Sequence, residues 1–137
     1  MSRIINPESA GKDRKSYCRM LILTVRELMT KQSIDDSCKD MAAFLVITLV
    51  KIDETIDMSV GAWEKKGYWI KADRFRMEWR WAGIYSKKIQ DALIAEDWDT
   101  IAMVSVNIAE KLKNERLPVR HNLGTPWLGA LEVLRGS

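Results

Sequence analysis

At 137 residues, with 22 basic against 19 acidic side chains and a net charge of +3, the chain is sized for one domain. At 47% hydrophobic it is also too apolar and too evenly charged to be disordered. Seven glycines and three prolines are sparse punctuation for a many-stranded fold, and two cysteines, Cys18 and Cys38, supply neither a disulfide framework nor a zinc motif.

The expected fold is all-α: a single-domain helical bundle of four main helices plus a short C-terminal helix, spanning residues 1–137. Residues 1–6 read as an N-terminal arm. Met1 to Ala10 has no apolar run behind a basic head, so no secretory signal is expected there, and with only two cysteines a reducing, cytoplasmic setting is the default.

Asn6, Pro7 and Glu8 combine a cap, a proline suited to the first helical position and an acid for the positive end of the dipole. The first helix therefore begins there or, given Gly11, one turn later. Cys18, Leu21, Ile22, Val25, Leu28 and Met29 recur at three- and four-residue intervals as one apolar stripe, to about Lys31.

Ser33, followed by Asp35 and Asp36, reads as the cap of a second helix. Its inner face is Cys38, Met41, Ala42, Leu45, Leu49, Ile52 and Ile56, with Asp36, Asp40, Asp53, Glu54 and Asp57 on or near the opposite side. Residues 44–50 are apolar all round. A helix wet on one side does not need that, so the segment is either central in the bundle or an oligomer interface carried by Phe44, Val46, Ile47 and Val50. A buried strand is the competing reading. The strongly apolar run 41–50 falls well short of the roughly 20 residues that cross a bilayer as a helix, so no membrane partner is expected.

Gly61 and Gly67 bracket the expected break, or a kinked continuation, before a third helix from Tyr68 to Ala95. Its broad apolar arc takes in Phe75, Trp79, Ala82, Tyr85, Ile89 and Leu93, widened by Ile70, Met77, Trp81 and Ile84. Arg74 and Glu78 fall inside that arc one turn apart, which reads as a wet seam between two packing partners. Asp97, Asp99 and Thr100 cap a fourth helix with the stripe Trp98, Ile101, Ala102, Ser105, Ile108, Ala109 and Leu112, ending near Asn114. Residues 115–124 read as a loop. Thr125 and Pro126 then open a short helix through Trp127, Leu128, Leu131 and Leu134.

The chemistry of sites is mostly excluded. His121 is the one histidine and has no glutamate three residues before it, which removes a dinuclear carboxylate centre and leaves any catalytic triad dependent on a single loop residue. Gly11-Lys12 is no phosphate loop, since Asn6 stands where the pattern needs glycine and Asp13 where it needs a hydroxyl. Asp53 and Asp57, one turn apart around Glu54, read as a solvated acidic face. No catalytic residue, metal site or cofactor is expected.

Charge is uneven along the chain: +4 over residues 1–31, −5 over 32–64, +6 over 65–90 and −2 over 91–137. Lys12, Lys15, Arg19 and Arg26 form a line away from the first apolar stripe, and Arg76, Arg80 and Lys87 form another on the third helix. Lys65, Lys66, Trp69 and Lys71 lie in an aromatic-basic stretch suited to stacking bases beside a phosphate backbone. The expected function is a non-enzymatic helical interaction or scaffold module that self-associates and serves as a subunit or adaptor for another protein. The alternative is a sequence-tolerant nucleic-acid-binding subunit that uses those basic lines.

Overall fold

A computed structural model describes residues 7–118 and 120–136, of which 76% are helical and none lies in a strand. The helices are α1 (Pro7–Met29), α2 (Asp36–Lys65), α3 (Trp69–Trp79), α4 (Trp81–Ile94), α5 (Trp98–Lys111) and α6 (Ala130–Arg135). Since α3 and α4 follow one another through Arg80, whose backbone stays helical at φ −56° and ψ −29°, the architecture is an all-α bundle of four long helices and a short C-terminal one. Asn6 and the arm 1–6 lie outside the described residues. The backbone is already helical at Pro7, so Gly11 sits within α1 rather than before it, and no loop exists there to cradle a phosphate.

The second helix starts later than the serine suggests. Asp35, not Ser33, is its cap, accepting a hydrogen bond from Cys38 N at 3.1 Å. It also runs unbroken through Gly61 to Lys65, and the chain turns only at Gly67, whose φ of +80° is a conformation that glycine adopts without strain.

At 30 residues α2 is about 45 Å long, and it packs against α1, α3, α4 and α6. This explains the all-round apolar segment 44–50 from within the chain. Val46 lies in the main core with Leu45 and Leu49, Phe44 packs half-buried against Leu23, Met41 and Trp127, Ile47 is half-buried, and only Val50 is exposed. The run therefore calls for no second chain to cover it. On α4, Ser86 Oγ donates to Val46 O at 3.2 Å, a buried bond that fixes α4 on α2.

An aromatic stack spans the junction at Arg80. Trp79 and Trp81 stack with centroids 5.5 Å apart and planes at 29°, yet side chains two apart on a regular helix point about 200° away from each other. At Arg80 the hydrogen bonds from Arg80 N to Met77 O and from Ile84 N to Arg80 O are both 3.5 Å, a loosening of the helix where both rings meet the main core. The arc expected of one helix is divided: Phe75, Trp79, Trp81, Ala82, Tyr85, Ile89 and Leu93 face inward, whereas Ile70, Met77 and Ile84 are exposed. Arg74 and Glu78 are exposed as well.

The C-terminal segment returns across α1 and α2. Arg26 donates from Nη1 to Leu117 O at 3.2 Å and from Nη2 to Pro118 O at 3.4 Å, and Trp127 inserts between Leu23 and Met41. Asp40 then accepts from the amides of Gly129 and Leu131 at 3.1 and 3.0 Å. Gly129, at φ +77°, delays the last helix to Ala130, four residues beyond the expected start at Pro126.

Candidate functional site

Among the described residues, Arg14 is the cation with the most side-chain contacts across helices. It lies four residues before Cys18 and seven before Leu21, so it continues the apolar stripe of α1 toward its N-terminus and points at α2. There Nη1 donates to Thr55 Oγ1 at 3.2 Å, Thr55 O at 3.4 Å and Ser59 Oγ at 3.4 Å. The guanidinium lies 4.8 Å from the centre of the Phe75 ring and 5.7 Å from that of Trp79. Burial lowers its pKa, with Cys18 and Glu78 opposing. The two rings belong to a chain of contacts that runs Trp63, Phe75, Trp79, Trp81, Tyr85, with neighbouring centroids 4.9 to 6.3 Å apart. Arg14 thus locks α1, α2 and α3 together. It was not among the expected site residues, although its register with Cys18 and Leu21 marks it.

Of the two basic lines, Arg26, Arg76 and Lys87 have partners within the chain, Arg76 and Lys87 while still exposed. Arg26 is spent on the carbonyls of Leu117 and Pro118. Arg76 bridges Asp57 at 3.3 Å and Glu64 at 3.7 Å on α2, and Lys87 pairs with Asp91 at 3.1 Å on its own helix. Arg19 is half-buried, and its Nε finds no hydrogen-bond acceptor among the described residues. Lys12, Lys15 and Arg80 remain exposed. Lys65, Lys66, Trp69 and Lys71 are brought together and exposed on the α2–α3 turn, where the Lys71 ammonium lies 4.5 Å over the Trp63 ring.

The acidic pair is likewise engaged: Asp57 accepts from Arg76, and Asp53 lies against Gly83, where a Cβ would stand 3.4 Å from its Oδ2. Burial first, then the charges of Asp57 and Glu54, raises the pKa of Asp53, against the opposing pull of Arg76. Among the described residues no three His, Cys, Asp or Glu side chains are grouped to hold a metal ion. His121 Nδ1 accepts from Leu123 N at 3.2 Å, a local turn contact. Cys18 and Cys38 are both buried and free.

A surface that the sequence stripe concealed lies on α5. Its inward side is Trp98, Ile101, Val104, Ser105, Ile108 and Leu112, packed on α4 and α1. Ala102 and Ala109, expected in that stripe, are exposed instead, because α5 has neighbours on one side only. With Met103 (63% exposed) and Val106 (52% exposed) they form an outer face that carries no charge between Asp99 and Glu110. The apolar surface continues past Ala102 into a depression of about 190 Å³ lined by Met29, Ile34 and Ile101.

No helix among the described residues is long and apolar enough to cross a membrane. The chain matches no known protein family, no curated protein and no solved structure.

Proposed function

We propose that this chain is a non-enzymatic cytoplasmic interaction module that works as a twofold dimer, built by pairing α5 with α5 of a second copy, and that serves as a subunit or adaptor in a larger assembly. The observation that carries this reading is the uncharged outer face of α5, because a helix side meant for water seldom presents Ala102, Met103, Val106 and Ala109 with no charge among them.

The face is complementary to itself. Antiparallel pairing about Val106 sets Met103 of one copy over Ala109 of the other and Asp99 beside Lys113, twice by symmetry. The alanines permit close approach of the backbones. A standard interface takes about 800 Å² from each partner, more than a helix about 21 Å long and 10 Å wide presents. The exposed Met29 and Ile34 extend the apolar area beyond α5.

Sedimentation velocity tests it. Val106→Asp should raise the dissociation constant tenfold or more, roughly 1.4 kcal/mol, with the helical spectrum unchanged. Asp99→Lys and Lys113→Asp should each weaken the dimer, and the two together should restore it. A wild type that stays monomeric up to high micromolar concentration, or a dimer indifferent to Val106→Asp, refutes the proposal.

A further inference from the structure

We propose that the turn joining α2 to α3 is a docking tip for an anionic membrane surface. Gly67 reverses the chain here, and the three residues after it project outward: Tyr68 is exposed, Trp69 is 63% exposed and Ile70 is 71% exposed. Lys65, Lys66 and Lys71 surround them, all exposed, and Arg74 follows one turn along α3. The N-terminal part of α1 ends at the same side of the bundle, since Arg14 contacts Thr55, Ser59 and Phe75, and it brings the exposed Lys12 and Lys15. Cations around an apolar tip with a tryptophan and a tyrosine are what the headgroup layer of an anionic bilayer accepts: amphipathic rings at the interface, an aliphatic side chain below, lysines among the phosphates.

The same residues suit single-stranded nucleic acid less well. Base stacking needs a row of free ring faces. The inner rings already contact one another, with Lys71 over Trp63 and Arg14 over Phe75 and Trp79. The exposed pair, Tyr68 and Trp69, are sequence neighbours whose side chains leave the backbone in different directions, so they do not form a row. Ile70, the most exposed of the three, has no ring at all. This proposal is independent of α5, which has no part in the tip.

Co-flotation with vesicles of phosphatidylcholine, with and without phosphatidylglycerol, tests it, with a thymidine oligonucleotide titrated in parallel. The full chain is expected to float only with the anionic vesicles. Trp69→Ala with Ile70→Ala should lower the bound fraction about tenfold, and Lys65→Glu with Lys66→Glu should do likewise, both with an unchanged helical spectrum because these side chains are exposed. Absence of flotation overturns the proposal, as does flotation that either pair of substitutions leaves intact. Binding of the oligonucleotide without binding of vesicles overturns it in favour of a nucleic-acid partner.

Discussion

Arg14 joins three helices through one guanidinium, yet its removal should cost little. Thr55 Oγ1 itself donates to Ile52 O at 2.6 Å, so losing the arginine leaves that hydroxyl bonded, while the buried Ser59 Oγ loses the bond it accepts at 3.4 Å. Arg14→Met keeps the stem and loses only the hydrogen bonds and the ring contacts, for which we expect a loss of about 1 to 2 kcal/mol in urea denaturation at an unchanged m-value. The Cys18 thiol belongs to the same face. Burial pushes it up to about 12 from an ordinary 9.0, with the charge of Glu115 adding and that of Arg14 opposing. In this case the folded state holds the proton longer than the unfolded chain. The stability linked to it is therefore complete below pH 9.0 and is lost as pH rises toward about 12. Cys18 should resist thiol reagents in the native protein at about pH 8 and react once the chain unfolds, and Cys18→Ala should flatten the alkaline fall in stability. Both cysteines were legible as buried core residues from their place in apolar stripes. Arg14 was legible by the same test, but a charge in a stripe is easily passed over.

Helix caps and ties carry the next level. Asp35 and Asp97 cap α2 and α5, each accepting from a backbone amide three residues on and from a hydroxyl, those of Ser37 and Thr100. These hydrogen bonds hold both carboxyls below their usual range, so the stability they lend is present above about pH 4 and is lost as pH falls below it. Replacing either by alanine should lower the melting temperature and weaken its response to acid, whereas Asp35→Asn should keep most of the cap. For α6, only six residues long and unable to persist alone, Asp40 is the anchor. Asp40→Ala should accelerate amide exchange at Gly129 and Leu131 and leave the middle of α2 protected, a local loosening that hydrogen exchange resolves. Helix existence was legible throughout, since the three-to-four spacing is strong in every long segment. Helix edges and the break at Arg80 were not. No glycine or proline stands at that break, which coincides with the stacked pair Trp79 and Trp81, a contact made only in the folded chain.

At the scale of the whole molecule, the long α2 is wrapped by its own chain and the open apolar face moves to α5, which packs chiefly on α4 and α1. A run such as 44–50 shows that a segment is surrounded without showing by what, because periodicity records burial and not the identity of the neighbour. The α5 face had the converse problem: Ala102 and Ala109 fit either side of the helix, and only the position of α4 and α1 decides which side is wet. If α5 pairs with a second copy, the melting temperature should rise with protein concentration in the wild type and stay constant in Val106→Asp, by mass action.

The ties that close the bundle also set an order in time. Asp40 meets amides 89 and 91 residues downstream, and Arg26 meets carbonyls 91 and 92 residues downstream. A ribosome adding about 5 to 20 residues per second needs roughly 5 to 20 s to cover that distance. For that interval the newborn hairpin of α1 and α2 carries Leu23 and Met41 without Trp127 over them. Residues made some 90 positions later shield the pair α1 and α2, so a chain cut before Trp127 is left with an apolar strip open to chaperones and proteases.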